Sequence, residues 1–336
     1  EGVFLMDEDN PLNCDCVVVD EMSMVDVFLM RSLLKAIAPG TRLVLVGDAD
    51  QLPSVGPGNV LSDILSCEQI PQVRLKEIFR QAEQSMIVLN AHRINQGENP
   101  VANGQGSDFF FENKPDASAA AASVVALCTT RLPKYLNEPD SARALQVLSP
   151  TRKGICGVEA LNQMLQQALN PPHPMKRELQ YRELILRQGD KVIQIKNNYQ
   201  IPWRTPDGED GMGVFNGDIG FVTEIDPEEK SLTVQFDDLR RVEYDYAQLE
   251  EVELAYCLSV HKSQGSEFPA VVIPVIGGPR MLLTRNLLYT AVTRARRLVV
   301  LVGRASVINM MVGNNLERRR YSLLGHWLKI EAGKAP

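Results

Sequence analysis

The sequence predicts an α/β fold in which parallel sheets are interrupted by a small antiparallel β-barrel. Two short apolar runs, 17–19 and 43–46, each end in acidic residues and enclose a helical stretch, which is the order of a strand–helix–strand unit. Residues 189–252 change to short alternating strands broken by Gly and Asp turns. Apolar runs return at 271–275 and 298–302, so the barrel is expected to be an insertion.

Length and composition indicate a globular protein of two or three domains. The chain has 336 residues, of which 44% are hydrophobic, and this is enough for more than one core. We expect residues 1–84 to be the C-terminal part of a first α/β domain. Residues 85–186 and 254–330 are expected to form a second, with residues 187–253 as the inserted barrel.

Cysteine usage and hydropathy favour a cytoplasmic protein with no membrane partner. No uncharged apolar run reaches the roughly 18 residues of a membrane span, and the N-terminus lacks a signal-peptide pattern. The six cysteines are scattered, and the pair Cys14 and Cys16 has no second pair at zinc-site spacing. Reduced thiols are therefore expected.

Charge is unevenly distributed along the chain. With a net charge of −7, the chain as a whole lacks the excess of positive charge that is typical of nucleic-acid-binding domains. Residues 205–253 are strongly acidic, whereas residues 285–320 are rich in arginine. Any contact with nucleic acid must therefore be local and lie in a groove.

Two neighbouring strand ends carry the first candidate chemistry. Asp20 and Glu21 follow the first apolar run, a position suited to a carboxylate linked to Mg²⁺ and a residue that activates water. The second run leads into the loop 47–58, GDADQLPSVGPG, which brings the amide of Gln51 near the same sheet edge. There Gln51 could sense a terminal phosphate.

Three further stretches supply cations and a polar loop. Arg80 in FRQ and Arg294 in YTAVTRAR come from different segments, and an arginine from across a cleft can stabilise a phosphoryl group in transfer. Residues 259–268, SVHKSQGSEF, combine hydroxyls, an imidazole and a glycine. Such a loop could hold a single-strand backbone without reading its bases.

In order along the chain, these motifs resemble those of superfamily 1 helicases of the RecD-like group, related to the exodeoxyribonuclease V alpha subunit. The stretches that carry the resemblance extend from about residue 17 to residue 303 and are VVVDEMSMVD, LVGDADQLPSVGPGNVL, IFRQAEQSMIVLNAHRIN, LSVHKSQGSEFPAVV and LLYTAVTRARRLVVLVG. The resemblance implies RecA-like P-loop NTPase sheets, the first one partial, and an SH3-like barrel.

The resemblance also implies roles for individual residues. Asp20 and Glu21 would be the Walker B pair, with Asp20 holding Mg²⁺ beside ATP, and Gln51 would couple the γ-phosphate to the DNA surface. The other implied nucleotide contacts are Phe79 at the adenine, Arg80 and Arg294 at the γ-phosphate, and Glu267 at the ribose. The implied DNA-facing residues are His261, Lys262, Ser263 and Gln264, with Asn216 in the barrel beside the DNA channel.

The sequence departs from the family pattern at one motif. It contains no G-x-x-x-x-G-K-[ST] phosphate-binding loop, so we expect a C-terminal motor fragment that is inactive as an ATPase alone. The expected activity of the parent is 5′ to 3′ DNA helicase action on single strands and duplex–single-strand junctions, with nuclease or recombination subunits as candidate partners. Two alternatives remain open: the motor of a conjugative relaxase-helicase, and a nonhydrolytic DNA-binding or assembly module.

Overall fold

The computed structural model describes residues 4–75, 85–104, 106–137, 141–315, 320 and 322–332. Within these ranges, no helix combines the length and the apolar character needed to span a membrane. The strands in chain order are β1 Cys16–Val19, β2 Arg42–Leu45, β3 Phe109–Asn113, β4 Leu145–Ser149, β5 Glu178–Tyr181, β6 Leu184–Arg187, β7 Lys191–Gln194, β8 Asn198–Arg204, β9 Asp210–Val214, β10 Ile219–Asp226, β11 Ser231–Phe236, β12 Arg241–Tyr244, β13 Val252–Leu254, β14 Cys257–Ser259, β15 Phe268–Val275 and β16 Ala295–Gly303.

The helices are mostly short and lie around these strands. In chain order they are α1 Val27–Ala36, α2 Val60–Leu65, α3 Met86–Gln96, α4 Ala117–Ala126, α5 Leu132–Leu136, α6 Ser141–Ala144, α7 Val158–Leu169, α8 Arg285–Thr293, α9 Ala305–Gly313 and α10 Leu324–Ala332. Single 3₁₀ turns occur at Met22–Met24, Gln248–Glu251 and His261–Ser263, and Leu127–Arg131 forms a π-helical turn after α4.

The first unit is a strand–helix–strand arrangement, as the sequence predicts. Strands β1 and β2 pair in parallel, from Cys16 opposite Arg42 to Val19 opposite Leu45. Helix α1 begins after Asp26, whose carboxylate accepts a hydrogen bond from the Leu29 amide and so caps the helix. A small core of Met22, Val25, Met30, Val60 and Leu61 holds the unit together.

The second unit is a five-stranded parallel sheet with the order β14-β4-β15-β16-β3. Strand β4, which precedes the barrel in sequence, lies between β14 and β15, which follow it. This confirms the prediction that the runs near Leu145 and Val271 share one sheet. Both faces of the sheet are covered, so β4 and β15 are buried along most of their length, which explains the continuous apolar sequence of β15.

The inserted region is a seven-stranded sheet with the order β13-β7-β10-β11-β12-β8-β9, in which the paired strands are antiparallel. Strand β11 alternates half-buried and buried residues, with Leu232, Val234 and Phe236 inside. These side chains belong to the same apolar cluster as Val147 of β4 and Leu161 of α7. The barrel and the second unit therefore share one continuous core.

A buried carboxylate fixes this junction. Asp190, just before β7, accepts hydrogen bonds from Gln166 at 2.6 Å, Asn170 at 2.7 Å and the Tyr256 hydroxyl at 2.9 Å. The Arg187 amide donates a fourth bond at 2.7 Å. Burial raises the pKa of Asp190, and these donors oppose the rise. The bonds from Gln166, Asn170 and Tyr256 tie the barrel to the end of α7 and to the residue before β14.

The end of the chain returns to the first unit. Helix α10 packs on α2, and Leu324 lies against the small core of that unit. Ser322 donates a hydrogen bond to Asp63 at 2.9 Å. Residues that follow the second unit in sequence thus complete the surface of the first.

Candidate nucleotide and DNA site

The acidic pair lies at the carboxyl end of β1 in a constrained backbone. Glu21 has φ 53° and ψ 39°, a left-handed conformation that is uncommon for a residue with a side chain. The next amide, Met22 N, donates to Val46 O at 3.0 Å, and the Glu21 amide donates to Asp20 Oδ1 at 2.7 Å. Strained backbone of this kind is held by its surroundings and concentrates at functional sites.

Gly47 allows the second motif to lie directly against the first. A Cβ atom at this position would be 2.9 Å from Met22 N, closer than real Cβ atoms approach, and a tight 3.1 Å from Leu61 Cδ2. Only glycine therefore permits this packing without displacement. The loop 47–58 begins beside the Asp20–Glu21 turn, as predicted from the two strand ends.

This loop is bonded to the second unit at several points, which include the bonds from Asn95 Nδ2 to Asp50 Oδ2 at 2.7 Å and from Asn286 Nδ2 to Gln51 O at 3.5 Å. The Tyr289 hydroxyl of α8 donates to Asp48 Oδ2 at 2.8 Å, and the Leu52 amide donates to Thr290 Oγ1 at 2.9 Å. Gln264 Nε2 donates to Leu52 O at 2.9 Å. Burial, with the Asp48 carboxylate nearby, raises the pKa of Tyr289, so its hydroxyl keeps the proton it donates. The two units are joined at the predicted motifs.

Two buried polar atoms at this junction lack partners within the described ranges. Gln51 Nε2 donates to Asp48 Oδ2 at 3.3 Å, but Gln51 Oε1 accepts no bond. Arg294, at the end of α8 and 5% exposed, donates from Nη1 to Ser266 O at 3.2 Å, while its Nε has no acceptor. Unsatisfied buried groups are costly, and one that persists needs a physical reason, such as a catalytic role or a bound water or ion.

The predicted DNA-facing residues of the polar loop 259–268 differ in their exposure and in their hydrogen-bond partners. His261 is exposed, although partial burial lowers its pKa, and Lys262 forms an ion pair with Glu253 at 2.7 Å. Ser263 is fully buried, and its hydroxyl donates to Val260 O at 2.8 Å. Gln264 faces the Leu52 carbonyl. Of this set His261 is exposed, Lys262 and Gln264 are half-buried, and Ser263 is buried.

The remaining predicted residues lie in three places. Glu267 is exposed and pairs with Arg296 at 2.6 Å. Asn216 is exposed in the turn between β9 and β10, and its main-chain amide donates to Asn197 Oδ1 at 2.9 Å. Phe79 and Arg80 lie outside the described residues.

Sequence reasoning overlooked the two α8 residues that connect the units. Tyr289 and Thr290 stand in the YTAVTRAR stretch, in which Arg294 was the predicted site residue. Thr290 is fully buried, which is unusual for a hydroxyl on a helix whose neighbours are apolar. That polar position on the apolar face was the available signal.

The residues at β1 fit a magnesium ion bound together with a nucleotide. No group of three or more metal-binding side chains occurs within the described part of the chain. Mg²⁺ in phosphoryl-transfer sites needs only one or two carboxylates, because phosphates and water complete its shell. The side chain of Asp20 is exposed at the strand end and has one carboxylate oxygen, Oδ1, engaged by the Glu21 amide, so its Oδ2 is suited to that role.

Three regions of the chain match known domain families. Residues 8–108 match an AAA domain, residues 161–236 match the ATP-dependent RecD-like DNA helicase SH3 domain, and residues 254–302 match the UvrD-like helicase C-terminal domain. The ATP-dependent RecD2 DNA helicase of Deinococcus radiodurans is 36% identical over 314 residues, which are 94% of this chain and 40% of that protein. The chain belongs to the RecD-like superfamily 1 helicases.

Other members of the RecD-like family match along most of the chain. The RecBCD enzyme subunit RecD of Mycobacterium tuberculosis is 29% identical over 332 residues, covering 94% of this chain and 54% of that subunit. The chain thus spans about half the length of these curated relatives.

Solved structures of Pif1 helicases share the fold. The Bacteroides Pif1 helicase in complex with ADP-AlF3 and ssDNA has a TM-score of 0.52 at 18% identity, over 95% of this chain and 76% of that one. A structure of two coordinating Pif1 helicases on forked dsDNA has a TM-score of 0.51 at 20% identity, over 95% of this chain and 75% of that one. The predicted fold class, RecA-like parallel sheets with an SH3-like insertion, is confirmed.

Proposed function

We propose that this chain is the motor half of an ATP-dependent DNA helicase that moves 5′ to 3′ along one strand. The observation that carries the proposal is the junction between the units. Gln51 and Arg294 each keep a buried polar atom without a partner, and both lie next to the bonds from Asp48 to Tyr289 and from Leu52 to Thr290. A phosphate between the units would accept a hydrogen bond from Arg294 Nε, and the water that attacks it would donate one to Gln51 Oε1.

The residues at the strand ends suit ATP hydrolysis. Asp20 would hold Mg²⁺, which neutralises phosphate charge when bound. The Glu21 carboxylate, in its constrained turn, would orient the attacking water. The amide of Gln51 would contact the terminal phosphate, and the Arg294 guanidinium would stabilise the charge that spreads over its oxygens.

Further nucleotide contacts follow from the family resemblance. We assign Phe79 to the adenine and Arg80 to the γ-phosphate as part of the proposal. Glu267 would reach the ribose, which requires it to exchange its exposed ion pair with Arg296. Exposed pairs contribute only about 0–1 kcal/mol, so this exchange costs little.

We place single-stranded DNA along the loop that contains His261 and Lys262. Ser263 and Gln264 would support this loop rather than contact DNA. Ser263 stabilises the turn by its hydrogen bond to Val260 O, and Gln264 joins the loop to Leu52 O. Asn216 would border the channel from the barrel. Because the chain carries a net charge of −7, binding should be weak, tolerant of sequence and sensitive to salt.

The cellular setting is a proposal as well. We place the protein in the cytoplasm, on single strands and duplex–single-strand junctions. Nuclease or recombination subunits are candidate partners, because several relatives are named as subunits of the RecBCD enzyme.

Unwinding by the full-length protein in which this chain occurs tests the proposal. Duplexes with a 5′ overhang should be unwound in the presence of ATP, and duplexes with a 3′ overhang should not. Glu21→Gln should abolish unwinding, because an amide cannot orient the water as a carboxylate does. Glu8→Gln is the matched control, since Glu8 is exposed and contacts only Lys35 among the described ion pairs. Unwinding from both ends, or an active Glu21→Gln variant, would contradict the proposal.

Binding of a single-stranded oligonucleotide at several salt concentrations tests the DNA surface. Lys262→Ala should lower both the affinity and its dependence on salt, because one phosphate contact is lost. Lys230→Ala, in a barrel turn remote from this loop in sequence, is the matched control. An unchanged salt dependence would remove Lys262 from the surface.

A further inference from the structure

One arginine near the end of the chain is bonded to the loop that contains Gln51. Arg320 Nη1 donates to Gly56 O at 2.6 Å, to Gly58 O at 2.8 Å and to Ser54 Oγ at 3.1 Å. Its Nη2 donates to Ser54 O at 2.6 Å. One guanidinium therefore bonds four acceptors of residues 54–58, and none of these four is a carboxylate.

These acceptors are main-chain and hydroxyl oxygens on a tightly packed loop. Ser54 and Gly58 are buried, and a Cβ atom on Gly56 would overlap the carboxylate of Asp26. Pro57 O accepts from the Val27 amide at the start of α1 at 3.0 Å. Buried carbonyl groups need donors, and the planar fork of an arginine supplies several at once.

The other end of the same loop meets the second unit. Leu52, two residues before Ser54, is bonded to Thr290 and to Gln264, and Gln51 lies beside it. Arg320 fixes the loop at residues 54–58, while α8 and the polar loop fix it at residue 52. Gln51 thus lies between Asp48, which accepts a hydrogen bond from Tyr289, and the anchors at Leu52 and at residues 54–58.

We propose that Arg320 is a positioning residue that holds the Gln51 loop for coupling between nucleotide and DNA. It touches neither ligand and acts through the loop. Ser322, bonded to Asp63, and Leu324, packed on the small core, keep Arg320 in place. The proposal rests on the proposed function, because coupling has meaning only in an ATP-driven motor.

Amide hydrogen exchange in the present chain tests directly whether Arg320 holds the loop. In Arg320→Ala the amides of Leu52 and Val27, which are bonded to Thr290 and Pro57, should exchange about tenfold faster or more, because the loop opens locally. Arg304→Ala is the matched control, since Arg304 also donates to a carbonyl, that of Ile276, but away from this loop. Unchanged exchange at both amides in Arg320→Ala would overturn the proposal.

Steady-state ATP hydrolysis by the full-length protein tests coupling. Wild type should be stimulated by single-stranded DNA. Arg320→Ala should lower the stimulated kcat about tenfold and leave KM for ATP within about twofold. Arg320→Lys should rescue only partly, because one ammonium cannot reproduce the fork, and it serves as the folded variant if alanine unfolds the protein.

The outcomes separate the two proposals. A wild type whose ATP hydrolysis is not stimulated by DNA would contradict the proposed function. Hydrogen exchange alone would then test whether Arg320 holds the loop. A stimulated wild type with an equally stimulated Arg320→Ala variant would overturn the role of Arg320. A rise in KM with unchanged kcat would also overturn it, since that is the sign of a binding residue.

Discussion

The Leu52 amide donates a hydrogen bond of 2.9 Å to Thr290 Oγ1, and this bond joins the loop of the first unit to α8 of the second. Both residues are buried, so the bond is shielded from water. Thr290 lies four residues before Arg294, and Leu52 follows Gln51 directly. The bond from the Leu52 main-chain amide to the Thr290 hydroxyl thus connects the segments that carry the two candidate phosphate-sensing residues.

Thr290→Val should loosen this connection without changing the shape of the helix. Valine fills nearly the same volume but leaves the Leu52 amide without an acceptor. We expect the exchange rate of that amide to rise on the order of tenfold, equivalent to about 1.4 kcal/mol. Thr293→Val is the control, because among the described hydrogen bonds its hydroxyl donates only to Thr290 O within α8. Equal effects of the two variants would contradict the role of Thr290.

Gly47→Ala should destabilise the first unit. The new Cβ would lie 2.9 Å from Met22 N, and a backbone atom cannot move aside as a flexible side chain can. We expect the free energy of unfolding to fall by about 1–3 kcal/mol in urea denaturation. Gly313→Ala, at the end of α9 with no atom within 4 Å of the added Cβ, should be neutral or slightly stabilising. A neutral Gly47→Ala would refute the close approach of the two motifs.

Asp190→Asn should weaken the attachment of the barrel. Its four partners all donate hydrogen bonds, so the amide NH₂ of asparagine would face donors instead of accepting from them. We expect a loss of about 2–3 kcal/mol in unfolding free energy. Urea denaturation followed by Trp203 fluorescence, within β8, measures it. Glu243→Gln on the exposed side of β12 is the control, and a similar loss there would contradict the assignment to Asp190.

The difference in unfolding free energy between wild type and Asp190→Asn should also depend on pH. Burial raises its folded pKa above the ordinary value of 3.8, so the folded state holds this proton more tightly than the unfolded state. The stability linked to that proton is present below pH 3.8 and is lost as the pH rises through the folded pKa. The advantage of wild type over Asp190→Asn should therefore shrink with rising pH across that window. An advantage that grows would mean that the folded pKa is lowered.

The sequence predicted the features that follow from local patterns. Continuous apolar runs predict parallel strands, so β1, β2, β15 and the acidic turn after β1 were all anticipated, although β15 is buried while β1 and β2 alternate exposed and half-buried residues. Strand β3 was not, because it stands at the sheet edge and its charged end resembles a loop. Asp190 was also overlooked: an aspartate after a glycine is typical of an exposed turn, and only packing of α7 and β14 buries it.

Contacts between distant segments were beyond local reasoning. Tyr289 and Asp48 are 241 residues apart, and Arg320 lies 266 residues from Ser54. Nothing in either local sequence encodes the pairing, because it arises only when both units fold and meet. The domain boundaries and the roles of the site residues therefore remain predictions.

ATP hydrolysis by Arg294→Ala in the full-length protein tests the central claim most directly. If this arginine stabilises the phosphoryl group in transfer, the variant should lose on the order of 10³-fold or more in kcat, with DNA binding nearly intact. Arg294→Lys should recover little, because an ammonium lacks the guanidinium fork. Arg304→Ala, whose wild-type guanidinium bonds only to Ile276 O among the described bonds, should hydrolyse ATP like wild type. Full activity of Arg294→Ala would contradict the assignment of the catalytic cleft.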